Sequence, residues 1–173
     1  MDWTNAVEDI FQKYSGQSGG TATAAAPVDA HQDFQQVSQA APPEVVASGI
    51  SQAFRSDQTP PFPEMLANLF NNSDPNQRAG LLNRILGSIG PGALTALPGL
   101  GGLSSVLSGG SVTPEQTSQI SPQQVQQMAA HAERQNPSIV DEVSSFYAHH
   151  PQVMKAAGGL ALSIALQHML RRG

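Results

Sequence analysis

No cysteine occurs in the 173 residues of the chain. Disulfide staples, thiolate nucleophiles and cysteine-ligated zinc or iron–sulfur centres are therefore excluded. Charge is scarce too. Asp, Glu, Lys and Arg make up 12% of the residues, against about 25% in ordinary soluble domains. The polarity must come from Gln, Ser, Asn and Thr. Cations are scarcer than acids: 8 Lys and Arg stand against 13 Asp and Glu, for a formal charge of -5. So few cations cannot neutralise many phosphates, which argues against nucleic acid as a partner and against attraction to anionic lipid headgroups.

Long apolar runs are missing as well. The longest block, Ala156 to Leu166, contains Ser163 and is flanked by Lys155, Gln167 and His168. As helix it would rise only about 16 Å, roughly half of a ~30 Å hydrocarbon layer. The block predicts a helix buried in a soluble bundle rather than a transmembrane span. Within it, Gly158 and Gly159 would let a neighbouring helix approach closely or leave an apolar hollow. No stretch alternates β-branched and polar residues, so no sheet is expected. The opening "MDWTNAVEDI" has neither a basic n-region nor an apolar h-region, so no secretory signal is expected and the cytoplasm is the expected location.

What is present is helical periodicity. In "DWTNAVEDIFQKY", Trp3, Val7, Ile10, Phe11 and Tyr14 fall on one face of a helix over residues 1–14. Residues 15–28, "SGQSGGTATAAAPV", have no periodicity and read as a flexible linker. Residues 29–90 read as an N-terminal helical half. Phe34 and Val37 share a face, as do Val46, Ile50 and Phe54, then Met65, Leu66, Leu69 and Phe70, and then Leu81, Leu82, Ile85, Leu86 and Ile89. Three start signals share one grammar: "DPNQ" at Asp74, "TPEQ" at Thr113 and "SPQQ" at Ser121. In each, the first side chain can accept from the N3 amide, proline sits where no N–H is needed, and the glutamine can reach back to the cap. Residues 91–112 are dense in glycine and dotted with leucine, which disfavours long helix. They read as a loosely ordered connector with a helical turn or two near Leu94 or Leu103, lying over a groove. Residues 113–173 read as a three-helix half burying Val125, Met128, Ala132, Ile139, Val140, Val143, Phe146 and Tyr147. The expected fold is all-α, about seven or eight helices in two halves.

Motifs that carry chemistry are sparse. His149 and His150 are adjacent and point to different helix faces, and no histidine has a second ligand at i+4, so no metal is expected. "GPGALTALPGLGGL" lacks the spacing and preceding strand of a dinucleotide site and the Lys-Ser/Thr ending of a P-loop. Asp141 and Glu142 are sequence neighbours, and acid–base catalysis by paired carboxylates needs facing groups in distinct environments. No serine sits in a nucleophile elbow. No catalytic residue and no cofactor are expected.

Two binding readings follow. In the first, Trp3, Val7, Ile10, Phe11 and Tyr14 form an aromatic-rich face that seats in a protein partner's groove, in another copy of the chain, or back on its own bundle. In the second, Gly158, Gly159, Met128, Phe146 and Met154 line a pocket for an apolar small molecule or lipid. The segment "ISPQQVQQMAAHAERQNPSIVDEVSSFYAHHPQVMKAAGGLALSIAL" resembles uncharacterised bacterial helical proteins. The Gly/Leu connector followed by "ISPQQV" is similar to the YidB-like family, whose function is unknown. The resemblance covers residues 95–166. It implies a bacterial source and carries over no activity and no functional residue.

Overall fold

A computed structural model describes residues 5, 8, 9, 30–107 and 109–172. Among these residues there is no strand; nine α-helices and three 3-10 segments make the fold all-α. The helices are α1 (Ala30–Ala40), α2 (Pro43–Arg55), α3 (Phe62–Asn72), α4 (Pro75–Ile89), α5 (Pro91–Ala96), α6 (Ser104–Leu107), α7 (Pro122–Gln135), α8 (Ile139–Ala148) and α9 (Gly159–Arg172). The 3-10 segments are Gly101–Leu103, Gln116–Gln119 and Pro151–Ala157. The N-terminal helix and linker expected over residues 1–28 lie outside the described residues, apart from Asn5, Glu8 and Asp9, which are helical and exposed.

Helix starts follow the local grammar. At α4 the amide of Gln77 donates to Asp74 Oδ1 at 2.9 Å, and the amide of Asp74 donates to Gln77 Oε1 at 3.2 Å. Ser121 and Gln124 repeat this reciprocal pair at α7. Thr113 completes only half of it. Its amide donates to Gln116 Oε1, but the Gln116 amide bonds the Thr113 carbonyl, and a 3-10 segment follows instead of an α-helix. Prolines at the first turns of α2, α3, α4 and α7 sit where their missing N–H costs no hydrogen bond.

Contacts divide the chain into two compact units, and the division is nested rather than sequential. One unit combines the described parts of Met1–Thr59 and Ser144–Gly173; the other is Pro60–Val143. The expected halves, 29–90 and 113–173, are thus each split between units. Residues 91–112 are no mere connector. Leu100, Leu103 and Val112 are buried, and two polar side chains of the same unit tie the segment down. Asn83 of α4 donates through Nδ2 to the Val112 carbonyl at 3.2 Å and accepts the Val112 amide at 2.6 Å. Gln124 Nε2 donates to the Gly99 carbonyl at 3.2 Å. Glycine density prevents long helix here, yet the interspersed leucines gain enough from burial to order the segment.

In the Pro60–Val143 unit, α7 packs across α3 and α4. Their facing stripes, Met65, Leu66, Leu69, Phe70, Leu81, Leu82, Ile85, Val125, Met128 and Ala132, are almost wholly buried. Arg78 of α4 closes the end of α3. Its Nε and Nη2 donate to the carbonyls of Phe70 and Asn71, both at 2.9 Å, and its guanidinium lies 5.2 Å from the Phe70 ring centroid. A cation at a helix C-terminus also opposes the helix dipole.

In the other unit α9 packs most extensively on α2 and then on α1. Gly49 makes the first of these contacts possible. A Cβ built there would lie 2.7 Å from the Ala165 carbonyl oxygen and 2.8 Å from Met169 Cγ. Gly49 sits on the buried stripe of α2 with Val46, Ile50 and Ala53, and Ala161 and Ala165 are its small counterparts on α9.

The glycine pair expected inside the last helix lies elsewhere. Pro151–Ala157 is 3-10 helix, and Gly158, at φ +92°, ends it before α9 begins at Gly159. A left-handed backbone is strained for any residue with a Cβ, so Gly158 serves to end the 3-10 segment and not to pack a helix. A Cβ there would meet nothing within 4 Å. Among the described residues no helix is long and apolar enough to cross a membrane. Helix α9 is two-faced: Ala161, Leu162, Ala165, Leu166 and Met169 are buried, while Leu160 is 40% exposed.

Two outcomes test this packing. Gly49→Ala should lower unfolding free energy by about 1–3 kcal/mol, because a backbone oxygen cannot yield to the new methyl, whereas Gly87→Ala on α4, where a Cβ meets nothing within 4 Å, should raise it by about 0.5–1 kcal/mol. Urea titration of both variants checks the pair of signs. Asn83→Ala should cost about 1–2 kcal/mol and speed hydrogen exchange at the Val112 amide; unchanged exchange there would show that the clamp holds nothing.

Candidate functional site

A polar concavity lies between α2 and α9, within the unit those helices share. Gln52 and Ser56 are four residues apart, so α2 and its cap present them on one face. Ile164, Gln167, His168 and Arg171 follow the i, i+3, i+4, i+7 spacing along α9. Gln58 comes from the turn after α2. Together they line a cleft of about 350 Å³.

The wall from α2 is held by its own turn. Buried Thr59 donates through Oγ1 to the carbonyls of Ala53 and Ser56, at 2.7 and 3.0 Å. The Gln58 amide donates to Ser56 Oγ at 3.2 Å. The wall from α9 is tied across to α2. His168 Nε2 lies 2.9 Å from Ser48 Oγ in a hydrogen bond whose direction follows the imidazole tautomer. The close approach at Gly49, one residue further along α2, brings these two side chains within reach.

The lining has a distinctive chemistry. Among the described residues it contains one guanidinium, one imidazole, three carboxamides and one hydroxyl, with Ile164 as its apolar surface and no acidic residue. The side chains of Gln52, Gln58, Gln167 and Arg171 make no hydrogen bond or ion pair among the described residues. They are donors and acceptors turned toward solvent and available to a ligand.

The residues expected to form sites are dispersed. Trp3, Val7, Ile10, Phe11 and Tyr14 lie outside the described residues. Gly158 is exposed and Gly159 opens α9. Met154 is buried in the 3-10 segment. Phe146 is half-buried, edge-on to Tyr147 at 5.3 Å between centroids and 4.9 Å from the His150 ring. Met128 is buried in α7 and belongs to the other unit. Asp141 and Glu142 are exposed in the first turn of α8, where acids favour the helix dipole. His149 bonds through Nδ1 to the Ser145 carbonyl at 2.8 Å. Among the described residues no three His, Asp or Glu converge as metal ligands would.

The cleft itself was missed at the level of sequence. Its residues are ordinary outward-facing polar positions on two helices remote in the chain. Gly49 offered the one available signal: a glycine on an apolar stripe, between Val46 and Ile50, marks a place where another backbone comes close.

Ser48→Ala removes the hydroxyl partner of His168 and should lower stability by about 0.5–1.5 kcal/mol, while moving the His168 ring resonances in an NMR spectrum of the folded chain. Ring shifts identical to those of the parent would show that the hydroxyl and imidazole do not meet.

No family model, curated protein or solved structure matches the chain.

Proposed function

We propose that the chain is a non-catalytic interaction protein that presents the aromatic face of its first fourteen residues to a protein partner. The observation that supports this reading is the distribution of aromatic side chains. Phe34, Phe54, Phe62, Phe70 and Tyr147 are all consumed by the cores, each 3% exposed or less. Trp3, Phe11 and Tyr14, three of the nine aromatic residues in the chain, are gathered in one short amphipathic segment at the chain's start. Aromatic side chains of this kind dominate the energetic centres of protein interfaces, because they bury large areas at little rotamer cost.

Composition also favours a helical docking mode. The segment carries Glu8 and Asp9 on positions other than the aromatic stripe, so its apolar face is flanked by charge, as in helices that lie in a partner's groove. Residues 15–28 then set this segment apart from α1 by a stretch free of large aromatic or charged side chains.

The test is affinity capture from the native cell using the full chain and its Trp3→Ala, Phe11→Ala double variant, followed by titration of whatever partner the parent retains. The variant should bind at least about tenfold more weakly, with an unchanged urea midpoint. Equal affinity for the two chains, or no partner for the parent, would remove this reading.

A further inference from the structure

We propose a second site, independent of the N-terminal segment: the cleft between α2 and α9 binds a small organic monocarboxylate. Its charge is the first argument. The chain carries a net charge of -5, yet among its described lining residues this concavity has Arg171 and no acid. A guanidinium presents two parallel N–H donors that match one carboxylate, and such charge-assisted pairs are roughly twice as strong as neutral hydrogen bonds. Arg171 is engaged with no other side chain among the described residues.

The charge of the described lining suits one ligand class. Among these residues one guanidinium, that of Arg171, can pair with one negative charge. The cleft also includes Ser56, the C-cap of α2, and Arg171 itself lies in the last turn of α9. Helix C-termini carry partial negative charge, so a phosphate ester or polyphosphate would meet uncompensated repulsion here. A monocarboxylate, with a single charge that the Arg171 guanidinium can pair, meets the least of it.

The remaining lining describes the rest of the ligand. Gln52, Gln58 and Gln167 each offer a donor and an acceptor, which suits an amide or hydroxyl body. Ile164 offers an apolar surface for a short carbon chain. A volume of about 350 Å³ stands at the lower end of the range for small-molecule sites, about 300–1,000 Å³. The turn fixed by Thr59 and the Ser48–His168 bond hold both walls, so little ordering is required on binding.

N-acetyl-L-alanine is the probe, with its N-methylamide as the uncharged counterpart. Titrated into the full ¹⁵N-labelled chain, the acid should produce saturable shifts at the side-chain amides of Gln52, Gln58 and Gln167 and at Arg171 Nε–H. The amide should bind about tenfold more weakly or worse, as should the acid to Arg171→Gln, the factor expected for loss of one charge-assisted bond. Arg171 is exposed, so the variant should retain the parent's backbone spectrum. Equal binding of acid and amide overturns the carboxylate assignment. So does a failure to saturate at concentrations about tenfold above a millimolar Kd, or a linear drift shared with Arg134 on α7. Partner capture through Trp3 and Phe11 should be the same in Arg171→Gln, so the two proposals stand or fall separately.

Discussion

At Gly49 the backbone of α2 comes so close to the Ala165 carbonyl of α9 that no side chain fits between them. Small residues at a crossing let two helices share van der Waals contact along their backbones, and here the contact joins segments from opposite ends of the chain. Three further features depend on it. Met169 reaches the same point and is fully buried. Ser48 and His168 come within hydrogen-bonding distance. The polar faces of the two helices then stand side by side and enclose the cleft. Packing and candidate chemistry thus have one physical origin.

The nested division gives the crossing its significance. Residues 60–143 form a compact unit of their own, with α7 on α3 and α4 and the glycine-rich segment folded onto them. The other unit is completed only when α9 meets α2 and α1. The entropy of closing so long an intervening segment rises only logarithmically with its length, by about 0.6 kcal/mol per doubling. Burial of Ile50, Phe54, Leu162, Leu166 and Met169 readily exceeds that cost.

Local rules carried the sequence reading a long way and then stopped for identifiable reasons. The stripes at Phe34 and Val37 and at Val46, Ile50 and Phe54 are buried as their spacing predicts, and the third is buried at Leu81, Leu82 and Ile85 but only half-buried at Leu86 and Ile89, toward the end of its helix. The boxes at Asp74 and Ser121 form in full, since every atom they need lies within four residues. Two kinds of feature were not legible. A stripe reports that a helix is buried but does not name its partner, so the pairing of α2 with α9, and with it the cleft, could not be read from either segment alone. A glycine does not announce which of its properties is in use. Gly158 is there for its positive φ and Gly49 for its missing side chain, whereas the apolar block around Gly158 and Gly159 suggested close packing at the wrong pair.

The two proposals rest on different observations. The cores take up Phe34, Phe54, Phe62, Phe70 and Tyr147, and the proposed partner face is the one built from Trp3, Phe11 and Tyr14; the helix crossing sets Arg171 and three carboxamides around a small cleft with no acid among its described lining residues. The fold of this unit and its cleft require α2 and α9 to be packed backbone to backbone in the folded chain. Through-space NMR contacts measure this directly. The Gly49 α-protons should show a strong cross-peak to the Met169 γ-protons and another to the Ala165 methyl group. A folded chain in which Gly49 sees only residues of its own helix would contradict the account.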